Sequence, residues 1–363
     1  MIELLEQCVS IPSLSGQERN VADFLVAEML ARGFDRAFVD EAGNAVGIIG
    51  NGPRQLVMLG HMDTVGGEVP VRYEGEGETR KLYGRGSVDA KGPLCTFVLA
   101  AEHIQSSMVN GEWSIIVIGA TEEEAATSKG AHFAATQYKP EMCIIGEPSG
   151  SDGITLGYKG RLLIEAHVEQ HSHHTALPGP SASEQAVSVW NHVAEVARQY
   201  NLDKAKVFDQ LQLSLRHIRS GDDGLKEWCD VMIGVRLPME FGPEAMAQTI
   251  EDYRAQLEGS EQTAGFKFQF STRGPERAVR SSKDTPLARA FVDAIRMEKL
   301  RPAFKVKTGT ADFNIVGPIW NCPIVAYGPG DSSLDHTPIE HVEVAEFERA
   351  VRILTNALKI AMH

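Results

Sequence analysis

Five short segments, far apart in the chain, carry side chains able to hold a divalent metal and to move a proton. Gly60-His61-Met62-Asp63-Thr64-Val65 closes the apolar run Leu56-Val57-Met58-Leu59. In an extended backbone, residues two apart project to one side, so His61 and Asp63 face the same place. A metal-bound imidazole usually gives its other ring nitrogen to a carboxylate, which makes Asp63 either a second ligand or the group that orients His61. Asp89 lies in Gly84-Arg85-Gly86-Ser87-Val88-Asp89-Ala90-Lys91-Gly92, a glycine-rich turn into a helix beginning near Pro93, where backbone can approach an ion closely. Capping that helix is the plainer role for such an aspartate. Glu122-Glu123-Glu124 follows the apolar segment Trp113 to Ala120, and three adjacent carboxylates there repel unless solvent or a cation offsets them. Glu147 follows the run Met142 to Ile145, and His336 comes in the loop after Pro323 to Tyr327.

The elements that must position these residues read as an α/β layered fold. Short continuous apolar runs such as Ile115-Ile116-Val117-Ile118 mark strands covered on both faces, and helical periodicity between them, as from Arg19 to Arg32, supplies the covering layers. In open α/β sheets ligands gather outside the carboxyl ends of the strands. His61, Glu122 to Glu124, Glu147 and His336 all lie just past such ends, so one rim collects them. Nitrogen and oxygen donors without thiolate suit zinc, with cobalt or manganese as substitutes. From about Ile154 the pattern changes. Ile154 to Glu169 and Phe266 to Ser271 read as strands, Ser183 to Tyr200 and Glu244 to Leu257 as helices, which predicts an α+β domain inserted into the first. Boundaries follow at 1–156, 157–275 and 276–363.

Composition narrows the function. A chain of 363 residues, 43% hydrophobic, can bury a large core, and its formal charge of −14 without any Lys/Arg run excludes a nucleic-acid partner. Cys8, Cys95, Cys143, Cys229 and Cys322 are odd in number and never paired as C-x-x-C, which argues for a reducing, cytoplasmic setting. The first residues, Met1-Ile2-Glu3-Leu4-Leu5-Glu6, are acidic where an export signal is basic. Apolar runs fall far below the roughly 20 residues of a membrane-spanning helix, so no membrane association is expected.

The segments H-M-D-T-V, G-R-G-S-V-D-A-K-G, E-E-E, G-E-P and H-T-P, in that order, resemble those of the acetylornithine deacetylase, succinyl-diaminopimelate desuccinylase and carboxypeptidase G family. The similarity spans nearly the whole chain. It implies a zinc-peptidase-like catalytic domain, with a mixed sheet covered by helices, and an inserted dimerisation or lid domain. It also implies two zinc ions per subunit: His61, Asp89 and Glu147 hold one, Asp89, Glu124 and His336 the other, with Asp89 bridging. Asp63 then orients His61, and Glu123 is the base. The family usually shows Asp-Glu-Glu at this point, and the three glutamates here leave Glu122 open as an alternative base.

Within the inserted domain, His171, His173 and His174 precede Pro178. In the family a histidine so placed reaches the partner subunit's site and stabilises the oxyanion, a role that falls to His174 in a homodimer. Lys307-Thr308-Gly309-Thr310-Ala311-Asp312 resembles the family loop that binds a substrate carboxylate, so Gly309 and Thr310 are substrate candidates, with Lys159, Arg161 and Arg236 as cationic ones. Gly157-Tyr158-Lys159-Gly160-Arg161 and the 307–314 segment look most like the lysine-biosynthesis branch. That branch, shared with arginine biosynthesis, releases lysine or ornithine from an amino-group carrier protein or an N-acetyl group. The alternatives are a broader dipeptidase or aminoacylase of the same family, and a catalytically dead binding protein.

Overall fold

The computed structural model describes residues 1–107, 111–174 and 178–363. The chain divides into two compact units, one of Met1–Gly157, Arg280–Val306 and Ala311–His363, the other of Tyr158–Val279 with Lys307–Thr310. Among the described residues, the first unit is built on a nine-stranded mixed sheet. Its centre runs in the order Trp113–Ala120, Arg54–His61, Met142–Gly146, Ile324–Ala326, each parallel to its neighbour. Antiparallel strands flank it, Ala45–Ile49 beside Trp113–Ala120 and Gly153–Tyr158 beside Ile324–Ala326. Trp113–Ala120 is buried at every position, so both its faces are covered, as a continuous apolar run requires. Helices Lys91–Ile104, Pro286–Met297 and Val344–Ala361 share one apolar core with the sheet, through residues such as Leu94, Phe291 and Leu354.

Parallel order has a direct consequence for chemistry. His61, the loop from Thr121, Glu147 and the loop leading to His336 all leave the sheet at the same edge. The 121–130 loop is pinned by Asn44, a fully buried side chain whose Oδ1 accepts from the Thr121 amide at 3.1 Å and whose Nδ2 donates to Gly130 O at 3.1 Å and to Asp40 Oδ2 at 2.9 Å. Gly130 has to be glycine here, since a Cβ would lie 2.3 Å from Asn44 Oδ1 and 2.5 Å from the Thr121 nitrogen.

The second unit is an antiparallel sheet in the order Gln212–Asp222, Lys226–Leu237, Gly160–His171, Phe266–Glu276. Leu162, Ile164, Ala166 and Val168 alternate onto one face, where Val189 and Val193 of helix Ala182–Tyr200 and Met246 and Ile250 of helix Pro243–Glu258 cover them. Two sequence expectations change. The single strand read over Ile154 to Glu169 is two strands in two sheets, Gly153–Tyr158 and Gly160–His171. The chain breaks at Lys159, whose amide pairs with Lys307 O, and at Gly160, where a Cβ would lie 2.3 Å from Glu276 O. The short 307–310 segment, which sequence order groups with the last part of the chain, packs with the second unit. Among the described residues no helix is long and apolar enough to cross a membrane.

Asn44→Ala removes an acceptor from the Thr121 amide and a donor from the Gly130 carbonyl. It is expected to cost about 1–3 kcal/mol for each group left unsatisfied. Urea denaturation followed by tryptophan fluorescence measures this, and an unchanged midpoint refutes the pinning role.

Candidate metal centre

At the sheet edge the Asp89 carboxylate stands between two imidazoles. Its Oδ1 lies 3.2 Å from His61 Nε2 and its Oδ2 lies 3.0 Å from His336 Nε2. His336 Nε2 also lies 2.9 Å from Glu124 Oε1. On the other side, His61 Nε2 is 3.9 Å from both Glu123 Oε2 and Glu147 Oε1. Seven residues from distant segments, His61, Asp63, Asp89, Glu123, Glu124, Glu147 and His336, thus meet in one place within the first unit. His61 is 1% exposed, while half of the His336 side chain is open to solvent, so the cluster has a closed side and an open side.

Asp63 is fully buried behind His61, with Oδ1 3.4 Å from Nδ1, and its carboxylate does a second job. Oδ1 accepts from the Glu123 amide and Oδ2 from the Glu124 amide, each at 3.1 Å, while Ser15 Oγ donates to Oδ2 at 2.7 Å. The residue therefore orients the imidazole and fixes the glutamate loop together. Glu122 turns away from the cluster. Its backbone adopts φ +58°, its amide donates to Glu18 Oε1 at 3.1 Å, and its carboxylate accepts from Thr127 Oγ1 at 2.6 Å.

Charge explains the electrostatics. Burial opposes ionisation of His61, yet its hydrogen bonds to Asp63 and Asp89 carry its pKa well above the usual histidine value. Asp89 is held below the ordinary carboxylate range: burial works against this, and the hydrogen bonds from His336 and His61 prevail. Burial pushes Glu123 well up, helped by the carboxylates of Glu147, Asp312 and Glu124 and opposed by His61. Four carboxylates, Asp89, Glu123, Glu124 and Glu147, crowd two imidazoles, an excess of negative charge that a divalent cation offsets. The ligand atoms of His61, Asp89 and Glu124 lie within 4.8 Å of one another, and nitrogen and oxygen donors without sulfur suit zinc, cobalt or manganese. The residues fit a metal.

In the second unit, Arg236 Nη1 donates to Thr310 Oγ1 at 3.1 Å, which brings a cation to the loop that contains Gly309. Lys159 and Arg161 do not offer open cations, contrary to the expectation from sequence. The Lys159 ammonium donates to Val207 O at 3.0 Å, Gln212 Oε1 at 2.9 Å and Gln210 O, so its three donors are used within the protein. Burial, then the nearby Arg236, lower its pKa to about 8. Arg161 pairs with the carboxylate of Glu276. His174 is exposed on the loop after the Gly160–His171 strand.

Sequence reasoning missed the residues behind the cluster: Ser15, Glu18, Arg85, Glu340 and the buried Asp312. Glu340 stands four residues after His336, and that spacing is the one signal that could have raised it. Ser15 acts on the Asp63 carboxylate, Glu18 on the Glu122 amide and Arg85 on the Gly67 and Thr337 carbonyls, all distant in the sequence.

A family model described as peptidase family M20/M25/M40 matches residues 57–360. A LysW-lysine hydrolase of Deinococcus radiodurans is 47% identical over 359 residues, covering 98% of this chain and 95% of that protein. A LysW-lysine/LysW-ornithine hydrolase of Saccharolobus islandicus is 26% identical over 359 residues, covering 98% of this chain and 94% of that protein. The crystal structure of the M20 family metallo-carboxypeptidase Sso-CP2 from Sulfolobus solfataricus shares the fold, with a TM-score of 0.78 at 17% identity over 99% of both chains. Strand ends that gather imidazoles and carboxylates, and a match along nearly the whole length, have one explanation: the chain belongs to peptidase family M20/M25/M40.

Proposed function

We propose that this protein is a metal-dependent amidohydrolase that releases lysine or ornithine from a carrier-protein-linked precursor in amino-acid biosynthesis. The observation that carries the chemistry is the Asp89 carboxylate, with one oxygen directed to each of two histidines and Glu123 beside the same cluster. The substrate half rests on the Deinococcus relative, whose name gives it carrier-linked lysine as substrate. In this reading two metal ions, zinc by donor type, are held per subunit. His61, Asp89 and Glu147 hold one, and Asp89, Glu124 and His336 hold the other.

The metal supplies Lewis acidity, polarising the scissile carbonyl and lowering the pKa of water. Glu123 takes the proton of the attacking water and delivers it to the departing amine nitrogen, as general base and then general acid. Asp63 keeps His61 in one orientation through its backbone carbonyl, 3.0 Å from Nδ1, with carboxylate Oδ1 at 3.4 Å from the same nitrogen. Arg236, set by Thr310 and next to Gly309, receives a substrate carboxylate, while Lys159 and Arg161 support that unit from within. A homodimer, with His174 as an oxyanion-stabilising group, and a cytoplasmic location complete the reading.

Glu123→Gln is expected to retain its metal while kcat falls about 10²–10⁴-fold, the usual contribution of a positioned proton carrier. Glu124→Ala is expected to lose bound metal. Elemental analysis beside steady-state rates separates the two, and wild-type turnover by Glu123→Gln removes it from the base role. Carrier-linked lysine is expected to be hydrolysed faster than acetylornithine or any dipeptide. Dipeptides cleaved as fast as carrier-linked lysine support the broader dipeptidase instead.

His336 supplies a pH signature. Hydrogen bonds to Asp89 and then Glu124 carry its pKa from 6.5 to about 10, against a smaller burial cost. The folded value lies above the unfolded one, so the stabilisation in metal-free protein is complete below pH 6.5 and lost as pH rises through about 10. Half-exposure keeps the effect small. Melting temperatures of metal-free wild type and His336→Ala are expected to differ most at acid pH and to converge above pH 10. A gap that widens with pH contradicts this.

A further inference from the structure

Glu340 is absent from the proposed ligand set, yet it is 0% exposed and its acceptors are aimed at the loop that carries Asp89. Oε1 accepts from the amides of Gly86 at 2.9 Å, Val88 at 3.0 Å and Asp89 at 3.1 Å. Oε2 accepts from Arg85 Nη1 at 2.7 Å. The same guanidinium continues outward: Nη1 donates to Thr337 O at 3.2 Å and Nε to Gly67 O at 3.0 Å. Thr337 adjoins His336, and Gly67 lies in the loop that follows His61 and Asp63. One carboxylate and one guanidinium therefore link the three loops that bring His61, Asp89 and His336 together.

Convergent backbone N–H groups form an anion site, and here its occupant is a side chain of the protein itself. A buried carboxylate without partners is costly, and these four donors work against that cost. The geometry constrains Asp89 directly, because its own amide is one of the donors. With that amide held, the side chain departs from a fixed point, and Oδ1 and Oδ2 reach His61 and His336 at 3.2 and 3.0 Å.

We infer that Glu340 is a positioning residue: by holding the 86–89 backbone it keeps Asp89 midway between the two histidines, and so sets the affinity for the metal held through Asp89. This rests on the reading of Asp89 as a shared ligand. A carboxylate that only stapled the fold would lower the melting temperature of the metal-free protein and leave the affinity of each folded molecule unchanged.

The test uses the full chain with Glu340→Ala, Glu340→Gln and Arg85→Ala. Metal affinity is read by competition of a chromophoric chelator for zinc and for cobalt. Loop order is read by amide hydrogen exchange of residues 86–89 in metal-free protein. Glu340→Ala is expected to bind metal about 10–100-fold more weakly, the usual effect of removing a partner behind a ligand. Glu340→Gln, which keeps an oxygen for the amides but opposes Arg85 with an NH₂ group, is expected to fall between it and wild type. Exchange at 86–89 is expected to accelerate in the same order. If Glu340→Ala does not fold, Glu340→Gln and Arg85→Ala carry the comparison. Wild-type affinity in the folded variants, or unaltered exchange at 86–89, overturns the inference. Wild-type protein that binds no divalent metal refutes the proposed function instead, and the exchange data then still decide whether Glu340 fixes the loop.

Discussion

The structure turns on an imbalance of charge at one sheet edge. Asp89, Glu123, Glu124 and Glu147 converge on His61 and His336, and two imidazoles do not neutralise four carboxylates. Such a cluster persists only where the surrounding fold holds its members against mutual repulsion, or where a cation relieves it. Parallel strands make the convergence possible, since their carboxyl ends share an edge, and the buried core beneath gives those ends little room to move.

Repulsion is resisted by other carboxylates. Asp63 accepts the Glu123 and Glu124 amides, Glu18 accepts the Gly16 and Glu122 amides, and Glu340 accepts the Gly86, Val88 and Asp89 amides. Loops at a sheet edge leave backbone N–H groups without ladder partners, and each of these anions satisfies two or three of them. The negative side chains behind the cluster spend their charge on amide dipoles, and those in front keep theirs for the ligand. The division explains how a region so rich in acid stays ordered.

Much of the candidate site is legible in the sequence because each of its residues follows an apolar run, and the end of a buried strand is a local signal. His61, Glu123, Glu124, Glu147 and His336 are found that way, and Asp89 by its glycine-rich turn. The layered fold is legible for the same reason. Glu340, Ser15 and Glu18 are not, since the amides that Glu340 and Glu18 accept and the Asp63 carboxylate that Ser15 reaches are brought near only by the folded chain, and beyond the spacing of Glu340 from His336 nothing local distinguishes them from surface polar residues. Lys159 and Arg161 mislead from the opposite side: a cation in the sequence carries no mark of whether Val207, Gln210, Gln212 or Glu276 has already claimed it. The strand-like stretch from Ile154 conceals a change of sheet, because both of its halves are strands and the break is a single residue at Lys159.

The order of strands within the first unit has one more consequence. Ile324–Ala326 lies between Met142–Gly146 and Gly153–Tyr158, although the whole second unit separates it from them in the chain. A ribosome that has delivered the first 157 residues has made His61, Asp89, Glu123, Glu124 and Glu147, but neither the strand that fills this gap nor His336 beyond it. The nascent polypeptide therefore holds an unfinished sheet and an incomplete cluster of imidazoles and carboxylates until the chain beyond the second unit has been made.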